Sequence, residues 1–282
     1  MIAGMTSTDA PGLAIIGGGK IGEALLSGLL RGSDPTLTID NIVVVEHYPE
    51  RVRYLTEHYG VRVVGVAEAA KGARTVLIAV KPQDIDTLLH ELADNIDSDH
   101  LIVSVAAGIT TAHIERGLPA GPAVVRCMPN TPALVDEAMT VICAGSRADD
   151  AHLQRAEDLL SAVGKVVRVP ESQLDAVTAL SGSGPAYFFY LVEAMIDAGI
   201  LLGLPRALAA QLIVQTAVGS AVMLRDTGEH PVQLREAVTS PGGTTISAIR
   251  ELENHAVRAA LIAAIEAARD RSAELGRAAE AG

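Results

Sequence analysis

There is no tryptophan in the 282 residues, aromatic side chains make up 2%, and lysine occurs only at Lys20, Lys71, Lys81 and Lys165. The core must be packed from Ala, Val, Leu and Ile, and a hydrophobic content of 49% supplies them amply. Positive charge is scarce, with a net charge of -12 and a pI near 5.1. So acidic a chain has no electrostatic footprint for nucleic acid or an anionic membrane surface, and neither is expected as a partner. Cysteine is nearly absent. Cys127 and Cys143 lie in apolar, strand-like runs without metal spacing, and they read as buried free thiols of a reducing, cytoplasmic setting. The eight histidines are scattered with no H-x-x-x-H and no carboxylate cluster, so no metal is expected. Residues 1–12 lack a basic segment followed by an apolar one and read as a disordered leader. The longest uncharged stretch, 207–224, contains Gln211, Gln215, Thr216, Gly219 and Ser220. A bilayer span needs about 20 mostly apolar residues, so this stretch reads as a buried helix.

Against these absences stands LAIIGGGKIG at 13–22. An apolar run from Leu13 to Ile16 stops at Gly17, and a helical pattern of Ile21, Ala24, Leu25 and Leu29 follows. In a strand, turn and helix with glycines spaced G-x-G-x-x-G, Gly17 permits the turn and Gly19 leaves room for a pyrophosphate. Gly22 lets the helix pack closely on the strand. The helix start adds unpaired N–H groups and partial positive charge. A plain glycine-rich turn is the alternative.

Apolar strand-like runs recur at 13–17, 42–46, 61–64, 75–80, 101–106 and 123–128, with two more at 139–144 and 165–169. Helical patterns fall between most of them, at 21–30, 49–58, 67–71, 85–93, 111–116 and 150–163. This alternation implies a mostly parallel sheet, doubly wound with helices on both faces. Beyond Pro170 only helical patterns appear, at 185–202, 205–225, 231–236, 244–252 and 256–275, with Pro185, Pro205 and Pro231 suited to first turns. The expected division is a dinucleotide-binding domain over 13–169 and a helical domain over 170–282, with the tail after Leu275 frayed. The helical half is unusually apolar for its size, which predicts that it packs against a copy of itself.

Candidate functional residues cluster at the carboxyl ends of the strands, where ligands bind in such sheets. Glu46 ends the second strand and suits a ribose 2'-hydroxyl, which favours NAD. His47, Arg51 and Arg53 follow at once and suit a 2'-phosphate, so NAD and NADP both stay open. Ala79, Val80, Lys81 and Pro82 end the fourth strand; Ala106, Ala107 and Gly108 follow the fifth and are small enough for a flat ring to lie against. Asn130 and Thr131, bracketed by Pro129 and Pro132, suit a small polar substrate or the cofactor carboxamide. Two glycine–serine loops, LSGSGPAY at 180–187 and TSPGGTT at 239–245, each open a helix. They fit either a carboxylate site or ordinary capping by Ser183 and Thr244. Tyr187, Phe188, Phe189 and Tyr190 are expected in the core or at a subunit contact.

The order and spacing of IGGGKIGEAL, AVKPQ, SVAAGI, RCMPNTP, LSGSGPAY and SPGGTT resemble the pyrroline-5-carboxylate reductase family, over about residues 13 to 275. The resemblance implies a Rossmann-type doubly wound sheet with an all-α C-terminal dimerisation domain. It implies hydride transfer from NADPH or NADH to the C=N carbon of Δ1-pyrroline-5-carboxylate, giving L-proline. By the same resemblance Gly17, Gly18, Gly19, Lys20, Ile21 and Gly22 hold the pyrophosphate, with Glu46 and His47 by the adenosine. Ala79 to Pro82 and Ala106 to Gly108 flank the nicotinamide. Ser240, Gly242, Gly243, Thr244 and Thr245 hold the substrate carboxylate; Asn130, read from its own loop, is counted with them as a substrate-binding candidate. Thr245 is implied near the ring nitrogen, which makes Thr245 and Ser240 the candidate catalytic residues. An interwoven homodimer, five of which form a decamer, is implied as well. The chain departs from some relatives at Glu46-His47, where they carry Ser or Asn-Arg, and at Val66, where they carry Asn. A β-hydroxyacid or ketopantoate-type reductase is the competing enzyme, but such families use a lysine in the helical domain, and this half has none. A cofactor-sensing module without turnover is the third reading.

Overall fold

The computed structural model describes residues 12–32 and 37–281, so the expected leader lies, apart from Gly12, outside the described residues. The eight strands are β1 (Leu13–Ile16), β2 (Ile42–Val45), β3 (Arg62–Val63), β4 (Thr75–Ile78), β5 (Leu101–Ser104), β6 (Ala123–Met128), β7 (Ala138–Ala144) and β8 (Gly164–Arg168). They form one sheet in the order β3-β2-β1-β4-β5-β6-β7-β8. Every neighbouring pair is parallel except β6 and β7. Between those two, Thr131–Val135 is a tight 3-10 turn, and Asp136 at φ 60 reverses the chain. A short link with no crossover helix can only return antiparallel.

Strands β1, β2, β4 and β5 are buried along their whole length because both faces of the sheet are covered there, whereas the edge strands β3 and β8 are partly exposed. Leu13, Ile15, Val44, Leu77 and Val103 face one way, against Ala24, Leu25 and Leu29 of α1 (Lys20–Arg31) and Leu55 of α2 (Pro49–Tyr59). Ala14, Ile16, Val43, Val76 and Ile78 face the other, against Ala69 and Ala70 of α3 (Val66–Gly72), Leu88 and Leu92 of α4 (Ile85–Ala93) and Ile114 of α5 (Thr111–Gly117). Each Leu, Ile or Val so buried contributes about 1.5–3 kcal/mol. Leu159 and Leu160 of α6 (Asp150–Leu160) join the first cluster. Val66 is a buried member of the second.

The remaining helices are α7 (Leu174–Val177), α8 (Gly184–Leu201), α9 (Arg206–Thr227), α10 (Pro231–Ala237), α11 (Thr244–Asn254) and α12 (Val257–Ala281). Helix α12 continues past Leu275, where fraying was expected. The chain divides into a sheet unit, which runs to Gly182 and takes in α12 from Arg269 onward, and a helical unit over Ser183–Ala268. Within the helical unit α8 and α9 pack on each other. The stretch 207–224 is not the buried helix that its composition suggested. Ala209 is the one buried residue of α9, and Leu212, Val214, Val218 and Met223 are exposed. Phe188, Phe189 and Tyr190 are 66%, 68% and 71% exposed, so they are no part of a core within the chain. Glu171–Leu201 and Arg206–Thr227 are each long and apolar enough to cross a bilayer by length and composition.

Both cysteines are buried, and they belong to different packing clusters. Burial pushes the Cys127 thiol well above its ordinary value. Burial, with the Glu171 carboxylate beside it, pushes Cys143 up to about 12. Only the thiolate is nucleophilic. Neither thiol should therefore react with a disulfide reagent at pH 8 in the folded protein, and both should react in denaturant; a rapid native titre of one thiol per chain would contradict this packing.

Candidate active site

The glycine turn is shaped by what surrounds it. Gly17 sits at φ +109, a conformation that side chains disfavour, and a Cβ there would lie 2.6 Å from the Ala79 carbonyl. A Cβ on Gly22 would stand 1.9 Å from the Gly17 oxygen, so α1 packs on the turn only because Gly22 has none. Gly19 is different: a Cβ would meet nothing within 4 Å, and the residue is exposed where α1 begins. No side chain caps α1, so its first N–H groups remain available to an anion. A cleft of about 170 Å³ opens there along the ends of β1, β2 and β4. Gly17, Gly19, Glu46, His47, Ala79, Val80 and Lys81 all line it, together with Tyr48 and Asp84, which the sequence had not singled out. The turn and its open floor fit a dinucleotide pyrophosphate.

The adenosine end of the cleft is braced by a second network. The Glu46 carboxylate accepts the backbone N–H of Gly18 at 3.1 Å, of His47 at 2.7 Å and of Tyr48 at 3.0 Å. Arg51 donates to the Gly18 carbonyl and pairs with Glu23 of α1. Tyr54 and Tyr59 also donate to Glu23, at 3.0 and 2.9 Å. Partial burial raises the Glu23 carboxyl, but the bonds from Arg51, Tyr59 and Tyr54 outweigh it and hold the group below its ordinary value. Arg51 is therefore engaged within the protein. The Glu23–Arg51 link, 28 residues apart in sequence, has no local signature and was missed.

At the end of β4, Lys81 is exposed toward the cleft, and Pro82 opens a single 3-10 turn, Pro82–Asp84. Ala106 is buried and Ala107 exposed, and Gly108 turns the chain at φ +77. Gly108 borders a second cavity in the sheet unit, also about 170 Å³, with Thr110, Arg126, Asp175 and Gly276. Arg126 is buried there and pairs with Glu171 at 3.0 Å. Glu171 also accepts the N–H and hydroxyl of Thr111, at 2.9 and 2.6 Å. The lone arginine inside the apolar β6 run was the available signal for this cluster.

Asn130 has structural partners at both ends of its amide. Its nitrogen donates to the Ser181 carbonyl at 3.1 Å and its oxygen accepts the Met139 N–H at 3.0 Å, so it clamps its loop to β7 and to the segment before α8. The two glycine–serine loops do open helices, but ordinary capping does not account for them. Ser183 stands at the N-cap of α8 with no side-chain capping bond, and the N-cap of α11 is Gly243 with none either, which puts Thr244 one residue inside the helix. Gly242 turns at φ +68, and Ser240 Oγ lies 2.4 Å from where a Cβ on Gly243 would stand. The first-turn N–H groups of α11 are thus left for another acceptor. Thr244 is exposed and Thr245 half-buried.

A cleft of this kind, at the carboxyl edge of a doubly wound sheet, has the arrangement of a dinucleotide-binding protein. Known proteins narrow the class. Residues 12–108 match the family model described as NADP oxidoreductase coenzyme F420-dependent, and residues 171–275 match pyrroline-5-carboxylate reductase dimerisation. A pyrroline-5-carboxylate reductase of Mycobacterium tuberculosis is 46% identical over 93% of this chain and 96% of its own length. One from Synechocystis is 45% identical over 94% and 98%. The structure of a pyrroline-5-carboxylate reductase from Coxiella burnetii superposes with a TM-score of 0.87 at 37% identity, covering 95% of this chain and 99% of that one. A Plasmodium falciparum pyrroline carboxylate reductase solved with NADP bound gives 0.84 at 27%, covering 95% and 99%. The chain belongs to the pyrroline-5-carboxylate reductase family, and its helical segment is a dimerisation domain.

Proposed function

We infer that this chain reduces the C=N bond of Δ1-pyrroline-5-carboxylate to L-proline, with NADPH or NADH as hydride donor. Similarity to pyrroline-5-carboxylate reductases along almost the full length carries the reading. The cofactor supplies the hydride when bound; the chain's own residues supply position and charge. Gly17 to Gly22 hold the pyrophosphate over the start of α1, Glu46 and His47 meet the adenosine, and Ala79 to Pro82 and Ala106 to Gly108 flank the nicotinamide. Ser240, Gly242, Gly243, Thr244 and Thr245 hold the substrate carboxylate. The uncapped first turn of α11 supports this role, because its N–H groups and partial positive charge suit a carboxylate. Asn130 spends one N–H and one lone pair of its amide on Ser181 and Met139, which leaves one of each for a substrate.

A protonated cyclic imine is a good hydride acceptor, so the site needs little general-acid strength. That agrees with the absence of lysine after Lys165, because a ketone reductase must protonate an alkoxide. Thr245→Ala should lower kcat/KM about tenfold or more, roughly one lost hydrogen bond, with a smaller change in the cofactor KM. Unchanged steady-state kinetics would remove Thr245 from the site.

The exposed apolar faces of α8 and α9 are covered by a second copy of the chain, which accounts for them without a membrane. Dimers assemble further into a decamer, and the enzyme works in the cytoplasm. Following nicotinamide absorbance with pyrroline-5-carboxylate and each reduced cofactor tests the activity; cofactor binding without oxidation would favour a sensing module.

A further inference from the structure

We propose that Glu46 occupies, with its own carboxylate, the seat that the 2'-phosphate of NADP would take, and so makes this chain selective for NADH. The inference rests on the cleft holding a nicotinamide dinucleotide, and it decides which one. Glu46 follows β2 directly and lines the cleft beside Gly17, Gly19, His47 and Tyr48. Three backbone N–H groups converge on its carboxylate: Gly18 on one oxygen, His47 and Tyr48 on the other. Converging backbone N–H groups form an anion-binding nest. Here the chain's own charge fills it.

A carboxylate accepts about four hydrogen bonds. Three are taken inside the chain, and the free one lies on the oxygen that binds Gly18. A ribose hydroxyl donates and can use it. A phosphate only accepts, and carries a charge of about -1.5 to -2. It would have to expel Glu46 from three charge-assisted bonds or lie against it as a like charge.

Neither arginine nearby offsets this. Arg51 is held by the Glu23 carboxylate and the Gly18 carbonyl, and its guanidinium lies 5.0 Å from the centre of the Tyr54 ring. Glu23 is fixed in turn by both tyrosine hydroxyls, so recruiting Arg51 would break a four-residue network. Arg53 lies two positions further along α2, about 200° around the helix from Arg51, and is exposed to solvent. Gly18 is part of the same device. A Cβ there would come within 3.1 Å of the Glu46 oxygen and 2.5 Å of Leu55 Cδ1, so the carboxylate packs closely over a glycine.

The test is direct binding of NADH and NADPH to the full chain, read from nicotinamide fluorescence, with no second substrate. Wild type should bind NADH at least about tenfold more tightly than NADPH. Glu46→Ser removes the charge and vacates the nest. It should strengthen NADPH binding about tenfold and weaken NADH binding by less, closing or inverting the ratio. Glu46→Gln keeps the shape and an acceptor oxygen but loses the charge, and should shift the ratio the same way. Because it is nearly isosteric, it serves if the serine variant folds poorly. Equal or tighter NADPH binding by wild type overturns the proposal, as does a ratio unmoved in both variants. Binding of neither cofactor overturns it together with the cleft assignment, whereas tight NADH binding without turnover leaves it standing and refutes the substrate reading alone.

Discussion

Gly19→Val should fold as wild type does and lose its cofactor. The backbone at Gly19 is extended, with φ -68, so any residue can adopt it, and a Cβ there meets no atom within 4 Å. The substitution should therefore cost no more than about 1 kcal/mol, the difference between glycine and valine at the N-cap of α1. The new side chain would stand on the floor of the cleft, over the uncapped N–H groups of α1. Cofactor affinity should fall about a hundredfold, roughly one or two charge-assisted hydrogen bonds. Gly22→Ala should behave in the opposite way. Its Cβ would lie 1.9 Å from the Gly17 oxygen, so α1 must move off the turn, at a cost of about 2–3 kcal/mol in stability. Gly28→Ala separates the two effects. It meets Val163 at 2.4 Å further along α1, and should destabilise the chain while leaving the folded molecules able to bind cofactor. Thermal melts beside cofactor titrations read all three. A Gly19 variant that binds normally would show that the phosphates do not pass over this turn.

These contrasts mark how far the sequence could be read. The inner strands were visible as apolar runs, because a sheet covered on both faces needs apolar residues at every strand position, as Leu13, Ala14, Ile15 and Ile16 show; the edge strands β3 and β8, with Arg62, Lys165 and Arg168 exposed, were marked only by their valines. The antiparallel pairing of β7 was not visible. Side-chain pattern carries no strand direction, and the reversal depends on one non-glycine residue, Asp136, at positive φ. The exposure of α9 was misread because hydropathy reports that a surface needs cover and not what provides it.

The site divides in the same way. The lining of the cleft was legible where it is local: the glycine turn, Glu46 and the residues after β4 are each set by a few adjacent positions. The long-range parts of the site were not. Arg51 looked free to meet a phosphate until Glu23, on another helix, was seen to hold it. The clamp of Asn130 on Ser181 and Met139 likewise depends on residues 51 and 9 positions away. Thr244 looked like a cap, but α11 starts one residue earlier than the hydroxyl suggested.

The partly buried Glu171 cluster carries the other large effect. Glu171 binds Arg126 of β6 and both polar groups of Thr111 at the start of α5, across 45 and 60 residues of sequence. Arg126 keeps only 8% of its side chain exposed, and Glu171 29%. Removing one partner of a buried pair leaves the other charge unmatched, which costs about 3–5 kcal/mol when burial is complete. With Glu171 partly solvated, Glu171→Ala should cost about 2–3 kcal/mol in urea unfolding. Replacing Arg126 and Glu171 together by methionine should recover only part of that: no charge is then stranded, but the buried Thr111 N–H and hydroxyl lose their acceptor. A second readout is chemical. The negative charge of Glu171 raises the Cys143 thiol and the positive charge of Arg126 lowers it. In Glu171→Gln only the lowering charge remains, so the Cys143 pKa should drop below about 12, and its alkylation near pH 9 should quicken relative to wild type. A stability loss with unchanged Cys143 reactivity would mean that Glu171 acts as a hydrogen-bond acceptor for Thr111 and not as the counter-charge of Arg126.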